Sequence, residues 1–389
     1  MKITCEKCDK EMNIGEDKVG KKIKCKGCSH VFTIQSPDDT DSKMKESDVA
    51  VTDFIAPDTI EWTQDEIDKI EHLRDAIKRI DEQVRKAVVG QEDVVKLLMI
   101  SLFAQGHSLL MGVPGLGKTL LVRTIASSLS LNFKRVQFTP DLMPSDITGT
   151  EVIEENKSTG DRQFRFLEGP IFTNILLADE INRTPPKTQA SLLEAMEEKQ
   201  VTVGGERRPL DPPFFVLATQ NPIEQEGTYS LPEAQLDRFM FLIRVSYPQE
   251  EEERLILSMT TSGYKPDIKP VLDKKEILEL QKLVRKVNVP YDVVTFVIKL
   301  VRNSRCSEKD APDFVKQYVS WGAGPRACQN LVFSAKAIAA MDGRHKVKLE
   351  DVKQVAHSVM GHRISVNFSA EAEGIDTHKI IDMLLDHIG

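Results

Sequence analysis

No stretch of this chain is apolar for the roughly 18–20 residues that a membrane-spanning helix requires. The longest runs, such as LLMISLFA at 97–104, end far short of that. The opening MKITCEKCDK has no apolar centre of the kind a secretory signal carries, so a cytoplasmic protein without membrane insertion is expected. Aromatic residues are scarce at 6%, and no aromatic-basic stripe of the kind that grips nucleic acid is visible. Excess positive charge is also missing: the net charge of −8 argues against whole-surface attraction to nucleic acid or anionic membrane. No internal repeat is visible, which excludes solenoids and propellers. What is present is an ordinary globular balance, 40% apolar and 29% charged, over 389 residues, which predicts two or three domains.

The charge is unevenly placed. Residues 36–66 hold ten acids against two lysines, equal to the net charge of the whole chain. Most of this stretch, 36–62, is polar and almost without periodic apolar residues, so it reads as an extended, self-repelling linker. Residues 1–35 before it carry a net +3. Four of the six cysteines fall there, as Cys5-x2-Cys8 and Cys25-x2-Cys28. Two such knuckles supply four thiolates for a tetrahedral Zn²⁺, and metal binding would provide much of the folding energy of so small a unit. A redox-active CxxC is the competing reading, but no thioredoxin-like strand–helix context surrounds either pair. Lys18, Lys21, Lys22, Lys24 and Lys26 suit either phosphate contacts or a solvated face of a protein-docking module. Cys306 and Cys328, far downstream in helical sequence, read as buried or idle thiols.

From residue 63 to about 248, short apolar runs alternate with helical stretches. SLLMG at 108–112, FKRVQF at 133–138, NILLADE at 174–180 and FFVLAT at 214–219 read as buried strands of a mostly parallel α/β sheet. From 249 to 389 the strand signal fades. Helical faces such as Ile277, Leu280, Leu283, Val284 and Val287, or Val294, Val297, Ile298 and Val301, predict an all-α domain.

GVPGLGKT at 112–119 fits G-x-x-x-x-G-K-[ST], with an apolar strand before it and a helix after it. Backbone N–H groups of such a loop wrap phosphates, aided by the positive end of the next helix. The nucleotide-binding set is therefore Gly112, Val113, Pro114, Gly115, Leu116, Gly117, Lys118, Thr119 and Leu120. Lys118 neutralises phosphate charge and the Thr119 hydroxyl ligates Mg²⁺. Asp179 and Glu180 end a later strand, where ligands of parallel sheets bind. Asp179 suits Mg²⁺ through water, and Glu180 suits polarising the attacking water. Asn221 ends a further strand and can orient the same water, although Asn before Pro is also a turn signal. Arg238 in LPEAQLDRF and Arg326 in GAGPRA offer guanidiniums for a phosphoryl transition state. Arg183 follows Asp179 and Glu180 and reads as a local salt-bridge partner.

The order GxxxxGKT, hhhhDE, strand-end Asn, LDRF and GxGPRA resembles the AAA+ ATPases. Within them, DEINRTPPKTQASLLEAMEE at 179–198 and ATQNPIEQEGTYSLPEAQLDRF at 218–239 are similar to the MoxR family. The resemblance spans about 65–385 and implies a parallel-sheet ATPase core with a helical lid, using ATP and Mg²⁺. It implies that VVGQ at 88–91, with Gly90 and Gln91, lies near the adenine. It also makes Asn221 sensor 1, Arg326 a sensor 2 reaching the γ-phosphate from the lid, and Arg238 a finger given to a neighbouring subunit. The family's extra segment maps to roughly 140–170, and a β-hairpin to 201–210 around Gly204-Gly205. A hexameric ring acting on a client protein, often beside a von Willebrand A domain partner, is the implied working form. A nucleic-acid-stimulated motor guided by the zinc ribbon and by Arg207 and Arg208 is the alternative, and a nucleotide-gated scaffold that hardly hydrolyses ATP is a third.

Overall fold

The computed structural model of the chain describes residues 61–155, 162–223 and 227–389, together with residues 2–4, 11–13, 22–25, 27–28 and 31–33. Residues 1–57 and 58–389 are two separate units, each taken by itself. In the first, β1 (Lys2–Thr4) pairs antiparallel with β2 (Glu11–Asn13), and β3 (Lys22–Lys24) with β4 (Val31–Thr33). The β3–β4 hairpin brackets Cys25 and Cys28. Cys25 is buried, and the Gly27 N–H donates to its Sγ at 3.3 Å. Cys5 and Cys8, between β1 and β2 in sequence, lie outside the described residues, as does most of the expected linker.

The second unit begins with helix α1 (Gln64–Arg85). Thr63 caps it reciprocally with Glu66, and Ile70, Leu73, Ala76, Ile80 and Val84 are buried at helical spacing. Then come α2 (Glu92–Phe103), β5 (Ser108–Met111), α3 (Lys118–Ser128), β6 (Phe133–Gln137), α4 (Pro144–Thr148) and the hairpin β7 (Gly149–Glu155)–β8 (Arg162–Glu168). After β9 (Ile175–Asp179) and α5 (Pro186–Glu198) follow a second hairpin β10 (Gln200–Val203)–β11 (Glu206–Pro209), β12 (Phe215–Gln220), α6 (Glu233–Leu236) and β13 (Phe241–Arg244).

Five strands form one parallel sheet in the order β13-β5-β12-β9-β6. Successive side chains of a strand point to opposite faces, so Ile175 and Leu177 enter one apolar cluster while Leu176 and Ala178 enter the other. Both faces are covered, which is why these strands read as continuous apolar runs. The segment expected at 140–170 is α4 followed by the β7–β8 hairpin.

The remaining chain is helical: α7 (Glu250–Thr261), α8 (Lys274–Lys286), α9 (Tyr291–Asn303), α10 (Asp313–Tyr318), α11 (Pro325–Met341), α12 (Leu349–Met360), α13 (Phe368–Ala372) and α14 (Thr377–Ile388). One short antiparallel pair, β14 (Val319–Trp321) with β15 (Ser365–Val366), interrupts it. A single apolar cluster runs from one face of the sheet through α1 and α3 into α8, α9, α11, α12 and α14. The change of element type near residue 248 therefore marks no break in packing. Two sequence expectations need adjusting. In α9 the buried face is Val293, Phe296, Val297, Leu300 and Val301, whereas Ile298 is exposed. Cys306 sits in a turn after α9 rather than in a helix, and both it and Cys328 are only half-buried. Among the described residues no helix is long and apolar enough to cross a membrane.

Candidate functional site

Strand β5 is flanked in the sheet by β13 and β12, and the chain leaves its carboxyl end directly into residues 112–117. Gly112 is required by packing. Its N–H donates to Gln220 O at 3.2 Å, and a Cβ would lie 2.8 Å from Val245 O, so any side chain would push the loop off the sheet. Gly115 and Gly117 instead take positive φ, +87° and +73°, with no atom within 4 Å of where a Cβ would stand. These conformations favour glycine, and Gly117 forms the N-cap of α3 without a side-chain cap. The first N–H groups of that helix are the natural seat for an anion. Lys118, half-buried, donates from Nζ to Gly112 O. Burial pushes its ammonium pKa down, while Asp179 and Glu180 pull it back up. The three charges therefore share one site.

Asp179 ends β9 as expected. Its Oδ1 accepts the Thr219 hydroxyl at 2.6 Å, and its Oδ2 accepts Arg135 Nε and Nη2 at 2.9 and 2.7 Å. Glu180 follows in a left-handed conformation, φ +57° and ψ +51°. That backbone state is costly for a residue with a Cβ and gathers at functional sites. It is held because the Glu180 N–H donates to Thr219 Oγ1 at 2.8 Å, and because Glu180 Oε2 accepts Gln137 Nε2 at 2.6 Å and Arg183 Nη1 at 3.0 Å. Arg183 thus makes the local salt bridge read from the sequence.

Asn221 is buried just beyond β12, and its Oδ1 accepts the Ile223 N–H at 3.1 Å. The oxygen closes a turn, in keeping with the Asn-Pro signal. Gln91 donates from Nε2 to Leu116 O at 2.9 Å, which sets the 88–91 segment against the phosphate loop. Its Oε1 is buried without a partner, as an acceptor reserved for a ligand would be. Thr119 Oγ1 and the Asp179 carboxylate are hard oxygen donors of the kind Mg²⁺ takes, so the residues present fit that ion. Thr219, Gln137 and Arg135 were missed from sequence. Gln137 and Thr219 stand at or next to a strand end, the one local signal available, whereas Arg135 lies in the middle of β6.

The two remaining arginines lie elsewhere. Arg326, on the first turn of α11, bonds Glu197 Oε1, and Arg238 Nη2 lies 3.3 Å from Glu197 Oε2. Together with His107, Met196, Asp237, Gln329 and Asn330 they line a cavity of about 180 Å³. His107 immediately precedes β5. Five residue steps of extended chain take it to Gly112, about 16 Å. Both arginines therefore sit at the amino end of the strand whose carboxyl end holds the phosphate loop. The Arg326 side chain is thus paired on Glu197 beside Arg238. His107 itself is fully buried between Met196 O, 3.2 Å from Nε2, and the Val216 N–H, 3.0 Å from Nδ1. Burial depresses its pKa to about 4.

Residues 107–241 match the ATPase family associated with various cellular activities (AAA), and 313–384 match the AAA lid domain. Chaperone MoxR1 of Mycobacterium tuberculosis is 41% identical over 307 residues, covering 79% of this chain and 80% of the relative. The chain belongs to the MoxR family of AAA+ ATPases. Protein YeaC of Bacillus subtilis is 40% identical over 319 residues, covering 82% of this chain and 96% of that protein. A crystal structure from Cytophaga hutchinsonii superposes with a TM-score of 0.76 at 43% identity, over 82% of this chain and 96% of the other. Both family matches fall within residues 58–389. Among the described residues no three His, Cys, Asp or Glu side chains gather as a metal site.

Proposed function

We propose that the protein hydrolyses ATP in a ring of identical copies and uses the resulting motion to remodel a client protein. The observation that carries this reading is the separation of the parts. Lys118, Asp179, Glu180 and Asn221 belong to the carboxyl end of the sheet, whereas Arg238 and Arg326 are paired on Glu197 at the amino end of β5. In a ring, one protomer's arginine pair faces the next protomer's phosphates, and a heterologous interface of this kind closes on itself. Glu180 draws a proton from water as that water attacks the γ-phosphorus and the bond to the β,γ-bridging oxygen breaks, releasing ADP, and Asn221 Nδ2 holds the water in line. Lys118 and the α3 amides take up the charge on the phosphate oxygens. Mg²⁺, held by Thr119 and Asp179, would supply further neutralisation when bound. Arg238 and Arg326 from the neighbour stabilise the three equatorial oxygens.

The β7–β8 hairpin leaves Ile153 and Phe164, directly opposite each other, 62% and 75% exposed. This apolar pair is the natural client contact, and a von Willebrand A domain protein is a fitting partner. A grip on nucleic acid by the neighbouring β10–β11 hairpin is less well supported. Arg208 is already engaged by the Phe166 ring, 3.9 Å from its guanidinium carbon, and by Glu206 at 2.8 Å. For residues 1–35, zinc held by Cys5, Cys8, Cys25 and Cys28 remains the reading. The N–H donated by Gly27 to Cys25 Sγ is what a thiolate knuckle requires.

Arg238→Ala tests the proposal. The variant should still bind ATP, yet lose roughly 10³–10⁵ in turnover, the range for finger arginines in other nucleotide hydrolases. Turnover within a factor of about ten of the native rate would refute a finger role.

A further inference from the structure

Arg363, just after α12, is the one lysine or arginine among the described residues whose relative exposure falls in the buried range, at 6%. All five of its N–H donors are used. Nε donates to Asp237 Oδ1 at 2.6 Å, and Nη2 donates to Asp237 O at 2.8 Å and Phe239 O at 2.7 Å. Nη1 donates to Met240 O at 3.3 Å and to Val359 O. Four of the five acceptors belong to residues 237–240, and the Asp237 and Phe239 carbonyls stand on either side of Arg238. The adjacent His362 adds Nε2 to Phe239 O at 3.0 Å. The other oxygen of Asp237 lies 3.7 Å from Arg326 Nη1.

A buried guanidinium stabilises a fold less well than an apolar side chain of its volume, and such groups are retained where they fix one geometry. Here the fixed geometry is the peptide on each side of Arg238, and the anchor is the lid helix α12. We propose that Arg363 is a positioning residue for ATP hydrolysis in the adjoining protomer: it locks residues 237–240 to α12, so that Arg238 is presented at a set height and moves with the lid. This rests on the reading above that Arg238 acts on a neighbour's ATP.

The test uses mixtures of full-length variants. Arg363→Lys keeps the charge, but one ammonium cannot reach the carboxylate and four carbonyls that the planar fork joins. Alone it should lose roughly 100-fold in kcat, the cost of about 1 Å of misplacement, while KM for ATP changes less than about twofold. Glu180→Gln alone should also be slow, but its arginines are intact. Mixed in equal amounts, the two should regain activity at least about tenfold above the sum of the separate proteins, because Arg363→Lys sites then receive a correctly held finger.

An Arg238→Ala plus Glu180→Gln mixture serves as the control. If the control recovers and the Arg363→Lys mixture does not, Arg363 acts within its own protomer or only on folding, and the proposal is overturned while the ring reading stands. If the control itself fails to recover, the ring reading falls and takes this proposal with it. Should Arg363→Lys melt below the assay temperature, Asp237→Asn carries the same test. Its side chain is 28% exposed, and the change removes only the charged acceptor of the network. It should show a smaller loss and the same recovery in the mixture; a loss without recovery overturns the proposal.

Discussion

The two ends of the parallel sheet are built on opposite principles. At the carboxyl end, Asp179 and Glu180 are held by neutral or positive neighbours, Glu180 keeps a strained backbone, and Gln91 keeps an unmet acceptor. At the amino end of β5 the charges already answer one another: Arg238 and Arg326 share Glu197, and Arg363 closes on Asp237. On the function proposed above, one end receives phosphate and the other presents positive charge. A single chain holds both without bringing them together.

Removing the receptor should have the larger effect. Lys118→Ala should abolish nucleotide binding, read by equilibrium titration with a fluorescent ATP analogue. An affinity within about threefold of the native one would contradict the phosphate assignment. Glu180→Gln should sharpen the contrast by sparing binding while slowing turnover roughly 10²–10⁴-fold, because only the base is lost. Thr219→Val should fall between these and the native protein. It frees Asp179 Oδ1 and the Glu180 N–H together, and a loss of about tenfold or more in kcat is expected.

The smallest effect is on stability in acid. His107 and His362 are both buried and held neutral, His107 at about 4 and His362 well below its usual value. Unfolded histidines titrate near 6.5, so below that pH the unfolded chain takes up protons the folded one refuses. Stability is full above about 6.5 and should fall, by up to about 1.4 kcal/mol per pH unit for each histidine, down toward 4. His107→Gln should flatten that slope in urea titrations; an unchanged slope would mean that His107 is not held neutral.

Much of the receptor end was legible in the sequence because its signals are local. The loop at 112–119 and the run ending in Asp179-Glu180 each lie within a few residues of their own context. Even there, Gly112 owes its place to Val245 O, a contact 133 residues away that no local pattern announces. The donor end was poorly legible for the same reason. Glu197 meets Arg326 across 129 residues, and Arg363 meets Asp237 across 126. Nothing near Arg363 distinguishes it from a solvated surface arginine. The Glu197 pairing of Arg326 could not be read from sequence, because GPRA reports only that a helix begins, not which end of the sheet that helix covers.

The most direct test of the separation of the two ends is phosphate release per protomer, followed with protein concentration while assembly is monitored by light scattering. Turnover should rise steeply as copies associate and approach zero in the dilute, monomeric limit. A rate per protomer that stays constant from monomer to fully assembled protein would mean that one chain completes its own site, and would contradict the account.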